Sequence, residues 1–131
     1  MKPKLEIYAL CVCFSAVVCL VLSSGIAAYA AVMAAAPSFT LDRWVYERHV
    51  SNDAFWERRE KYSEDENKKP ARPPAVDLTR QRLESLELAH AVERHSGLQL
   101  LVKSVIFILG GAIALWSHWR IAGRARNSTD A

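Results

Sequence analysis

Three cysteines, four histidines and one lysine inside an apolar run are the side chains of this sequence whose types suit chemistry. Cys11, Cys13 and Cys19 lie close enough to raise a metal site or a disulfide. Two positions along a helix turn through about 200°, so Cys11 and Cys13 point to nearly opposite faces and do not share an ion. An odd number of thiols within apolar sequence is not a disulfide framework. Small, polarizable packing residues are what these cysteines resemble most.

The histidines are His49, His90, His95 and His118. A metal needs ligands that converge, and His90 and His95 stand five apart on poorly matched helical faces with no cysteine nearby. None of the four falls in the middle of an apolar run, so no axial pair for a haem is indicated. Gly110-Gly111 sits in apolar sequence rather than in a phosphate-binding loop, and no nucleophile–base pair is spelled out. The expectation is a non-enzymatic protein with no catalytic residue, no cofactor and no metal. Nor is there a nucleic-acid footprint, because the basic residues between the apolar runs alternate with acids.

The elements that would have to position any such groups are two apolar stretches. Residues 7–36 carry no charge over thirty positions. A bilayer core of about 30 Å needs roughly 20 helical residues, so this run is long enough to span with helix left over. One run does not close a barrel, and lipid tolerates no unpaired backbone, so the run is read as a helix. Tyr8 and Tyr29 suit two interfacial anchors, and Pro37 ends or kinks the helix. A cleaved leader is the competing reading, with Lys2 and Lys4 as its charged start. Its apolar part is normally about 7–15 residues, roughly half of what is found here, so the segment is expected to stay.

The second stretch, residues 98–119, holds a single charge, Lys103, near its beginning. A lysine at mid-membrane costs about 2.5–3.5 kcal/mol, but from there Lys103 can snorkel to the interface. Trp116 and Trp119 make an aromatic belt at the other end. The expected fold class is an all-α membrane protein: an antiparallel two-helix transmembrane hairpin with a small helical extramembrane loop region. Its parts are a tail at 1–6, helix one with its extension at 7–36, a loop region at 37–97, helix two at 98–119 and a basic tail at 120–131. Within the loop region we expect short helices at about 39–50 and 52–62, a proline-rich linker at 63–76 and a helix from 77 onward. Ser51-Asn52-Asp53 reads as a helix start. Leu78, Ser85, Leu86, Ala89, Val92 and Ser96 form a weak apolar face beyond the linker.

The formal charge of +3 says little, but its distribution says more. The tails hold Lys2, Lys4, Arg120, Arg124 and Arg126 against only Glu6 and Asp130, whereas residues 37–97 hold eleven basic and twelve acidic residues. The positive-inside rule weights short flanks, which puts both termini in the cytoplasm and the loop outside, in a bacterial inner membrane.

Two groups of residues are candidate contacts. Cys11, Ser15, Cys19, Ser23, Ala27 and Ala31 recur at every fourth position, and Gly110 and Ala114 form a small-xxx-small pair; such rows let helices approach closely in lipid. Whether the row meets the second helix or another chain is left open by the sequence. Leu41, Trp44, Phe55 and Trp56 are the candidate partner surface, since aromatic anchors dominate interfaces. The expected function is an interaction, accessory or scaffold subunit that binds another membrane protein or a copy of itself in the bilayer. The alternative is a homo-oligomeric pore, whose two-span layout resembles that of small mechanosensitive channels and phage holins.

Overall fold

A computed structural model describes residues 2–61 and 71–127 of the chain. Among these, every regular element is helical: α1 (Lys2–Ala35), a 3-10 turn (Pro37–Phe39), α2 (Arg43–His49), α3 (Asn52–Lys61) and α4 (Ala75–Asn127). Within α1, Ile7–Ala35, and within α4, Ala75–Arg124, are long and apolar enough to cross a membrane. Most of the linker expected at 63–76 lies outside the described residues.

The breaks between elements have local causes. Ala36 precedes a proline, which disfavours the helical conformation, and it adopts φ −139° and ψ 67°. Pro37 then starts the 3-10 turn, closed by the Thr40 N–H donating to the Pro37 carbonyl at 3.2 Å. Asp42 is extended, with ψ 136°, so α2 begins at Arg43 rather than near residue 39. Ser51 caps α3: its hydroxyl accepts from the Ala54 N–H at 3.1 Å, satisfying a donor the helix leaves open. Pro74 supplies the carbonyl that takes the Leu78 N–H at 3.0 Å, which sets the start of α4 at Ala75, two residues before the expected one. Nothing breaks the helix after residue 119, since Gly123 alone costs only about 1 kcal/mol, and α4 runs on to Asn127. Likewise α1 already begins at Lys2.

The chain divides into two compact units. The first gathers the α1 residues up to Ala31 and the α4 residues from Gly97 on. Here the two helices pack antiparallel, with Leu20 against Gly111 and the Tyr8 ring 6.2 Å from that of His118. On α1 a regular set of covered positions is Ala9, Cys13, Ala16, Leu20, Ser23, Ala27 and Ala30, with Val12 half-buried beside it. On α4 the corresponding set is Gly97, Leu101, Ser104, Ile108, Gly111, Leu115, His118 and Ala122, with Leu100, Ala114 and Ser117 half-buried at its edges. Both sets step by four and three in turn, the 3.5-residue repeat of helices that wind around each other left-handedly.

The second unit, Val32–Ser96, holds the 3-10 turn, α2, α3 and the first part of α4. Its small core consists of Pro37, Val45, His49, Trp56 and Leu78, with Leu78 fully covered. We call this unit the cap.

Candidate functional site: the cap groove and the helix seam

A polar clasp ties α2 and α3 to α4. Buried His49 donates from Nδ1 to the Val45 carbonyl at 2.6 Å, which leaves Nε2 to accept from the Ser85 hydroxyl at 3.1 Å. Arg82 donates to the His49 carbonyl at 2.7 Å and to that of Val50 at 3.2 Å, placing a cation where α2 leaves its last carbonyls unpaired. Asn52, the first residue of α3, donates to the Thr79 hydroxyl at 2.8 Å, and Arg59 donates to the Gln81 amide oxygen at 2.8 Å. Arg72 pairs with Asp53, but both side chains are largely exposed, so water screens the pair. On the outer face of α2, the Glu47 hydrogen bond and charge hold the Arg43 guanidinium above its ordinary pKa; both groups are solvated.

The clasp leaves a groove of about 680 Å³ lined by Trp44, Arg48, Phe55, Arg58, Arg59 and Ser85. The Arg48 guanidinium lies 5.4 Å from the centre of the Trp44 ring, and the Phe55 ring is 5.6 Å from that of His49. The other side of Trp44 borders a second hollow of about 350 Å³, with Leu41, Leu88, Ala89 and Val92 in its wall. Of the four residues expected to face a partner, Trp44 is 52% exposed, and Leu41 and Phe55 are half-buried beside these hollows. Trp56 is different: it is 8% exposed and belongs to the core of the cap. One residue turns a helix by about 100°, so Phe55 and Trp56 do not face the same way, and the larger side chain went inward. No sequence pattern marks the arginines of the groove or the His49–Ser85–Arg82 clasp. Leu78 and Ser85 on one face were the available signal, while the charges of α2 and α3 resemble an ordinary solvated surface.

The helix seam is built mostly from residues of α1 outside the every-fourth row. Of the every-fourth row, Cys11, Ser15, Cys19 and Ala31 are exposed, and Ser23 and Ala27 are half-buried. A step of four advances about 40° around a helix, so a row that long winds off any straight face. A Cβ on Gly110 would meet nothing within 4 Å, whereas one on Gly111 would stand 3.1 Å from Leu20 Cγ and Cδ2. The close-approach glycine is therefore Gly111, not Gly110; Ala114 is half-buried at the edge of the seam. Cys13 is buried and Cys11 exposed, as opposite faces require.

The residues read as interfacial anchors are all exposed. Tyr8 is at the same end of the pair as His118, and Trp116 and Trp119 lie beside that level. Arg120 places its guanidinium 4.9 Å from the Trp116 ring centre. Lys103, eight residues before Gly111, comes level with Ala28, eight beyond Leu20, and so with the neighbourhood of Tyr29. The hydroxyls of Ser15, Ser104 and Ser117 donate to carbonyls of their own helices at 2.9–3.0 Å.

Comparison with protein-family models, with curated proteins and with solved structures finds no match for this chain.

Proposed function

We propose that the chain is a two-pass integral membrane protein of a bacterial inner membrane, with both termini in the cytoplasm and the cap outside. It works as a non-enzymatic interaction, accessory or scaffold subunit that grips another membrane protein, or a second copy of itself, through the cap. Two features support the membrane reading. A soluble protein buries its apolar helices, yet only 17% and 6% of the most apolar windows of α1 and α4 are covered by the chain itself. The seam also packs α1 against α4, as expected of a segment that stays with the chain.

The observation that carries the interaction reading is Trp44. A tryptophan is the costliest side chain to leave in water, and Trp and Arg dominate the energetics of protein interfaces. Here a half-exposed Trp44 carries Arg48 against its ring and borders two hollows at once. The pore is the weaker reading, since Ser15, Ser104 and Ser117 turn their hydroxyls to their own helices and offer little to line a water-filled path.

The test is a photo-crosslinking amino acid in place of Trp44, in living cells, with Val76, 81% exposed on the same unit, as the control site. A single membrane protein, identified by mass spectrometry and captured from position 44 but not from 76, is the expected result. Equal capture from both sites, or ion flux from the purified chain in liposomes without any captured protein, contradicts it.

A further inference from the structure

We propose that the cap groove binds a short acidic segment of a protein partner, with an apolar side chain held between the Trp44 and Phe55 rings and carboxylates on Arg48 and Arg59. The inference rests on the interaction reading above and names the chemistry of the partner. Its basis is the charge of the wall: among the described residues, guanidiniums and no carboxylate line the groove. Arg59 is held by Gln81, a neutral amide, so that bond orients it without neutralising it. Arg48 lines the groove with its guanidinium 5.4 Å from the centre of the Trp44 ring, so a cation stands beside the apolar wall. A guanidinium stacked on a ring presents its N–H edge to a carboxylate in the two-bond geometry that makes arginine selective. The neighbouring groove, which Arg48 also borders, contains Glu47, Glu57 and Lys61, but the Glu47 carboxylate is already taken by Arg43 at 2.6 Å.

Size and composition favour a peptide over a lipid. A space of about 680 Å³ takes two or three side chains, and its apolar wall is two rings rather than a channel long enough for an acyl chain.

The test uses the full chain in a nonionic detergent and a fluorescein-labelled octapeptide with a central Leu-Phe flanked by three glutamates on each side. The same peptide with lysines for glutamates is the control. The acidic peptide should bind and the basic one should not, with affinity falling as salt rises. Arg59→Gln should weaken binding about tenfold, the effect of one charge-assisted hydrogen bond, while Arg94→Gln, on α4 away from the groove, should not. Arg59 also holds Gln81 across the clasp, so the folds of Arg59→Gln and Arg48→Gln are both checked by circular dichroism; Arg48→Gln should give a similar loss. Equal binding of the two peptides, no binding of either, or equal effects of Arg59→Gln and Arg94→Gln overturns the proposal. So does competition by phosphatidylglycerol vesicles that is lost in Arg59→Gln, which assigns the groove to a lipid headgroup. Capture of a protein from position 44 with no peptide binding removes the acidic chemistry and leaves the interaction reading standing. Peptide binding with no captured protein does the reverse.

Discussion

Alanine at Trp56 should destabilise the cap by about 3–5 kcal/mol, the range for removing a buried aromatic side chain. Alanine at Trp44 should cost less than about 1 kcal/mol, chiefly its contact with Arg48. The two tryptophans are twelve positions apart and have the same chemistry; burial separates them, at 8% and 52% exposure. The cap core has few members, so the loss of the largest has little to compensate it. Amide hydrogen exchange over α2 and α3 reads the difference directly, because protection there reports the opening of this unit. Protection should fall by about two to four orders of magnitude in Trp56→Ala and stay near the parent value in Trp44→Ala. Crosslinking to a partner should show the opposite ranking once the fold is controlled for. Equal loss of protection in the two variants would mean that Trp44, too, is part of the core.

The second large effect belongs to the seam. Phenylalanine at Gly111 must push into Leu20, whose side-chain carbons already stand 3.1 Å from where a Cβ would be. Overpacking of this kind costs about 1–3 kcal/mol, and in lipid there is no hydrophobic drive between helices to offset it. The same substitution at Gly110 points into open space. In a background without the native cysteines, Ala9→Cys paired with Ala122→Cys should form a disulfide on mild oxidation, since both are buried small residues and stand level, eleven residues from Leu20 and from Gly111 on their own helices. The bond should form about tenfold more slowly with Gly111→Phe and at an unchanged rate with Gly110→Phe. A slower rate with Gly110→Phe and not with Gly111→Phe would show that α4 turns a different face to α1.

The sequence carried the long elements and little of their contacts. The uncharged run at 7–36 and the run at 98–119 are visible because little besides a bilayer calls for apolar stretches of that length. The contact face was harder to see. Small residues fill so much of α1 that a row of every fourth position stands out, although helices that wind around each other meet at alternating steps of four and three. Ala9, Cys13, Ala16 and Ala30 are as small as Cys11, Ser15 and Cys19; nothing in their types marks the buried set. What separates them is the partner, Gly111 against Leu20, which is a relation between distant positions.

The cap teaches the same lesson with polar residues. Ser51 was readable as a helix start because a cap is a local device spanning three residues. His49 with Ser85, and Arg82 with the end of α2, are 36 and 33 positions apart, and neither pair has a spacing that a pattern can reveal. The groove forms where the buried core and those long-range bonds bring α2 and α3 onto α4, so its arginines looked like solvated charges along the chain.

The central claim is that two helices cross a bilayer and carry the cap on the outer face. The most direct measurement is compartment reporting at three points in one set of fusions: the N-terminus, the C-terminus and a site between Lys61 and Ala71. A reporter active only in the cytoplasm should light up at both termini, and one active only outside should work at the internal site. Opposite compartments for the two termini, or a chain whose N-terminal reporter is cut away with α1, would contradict the account.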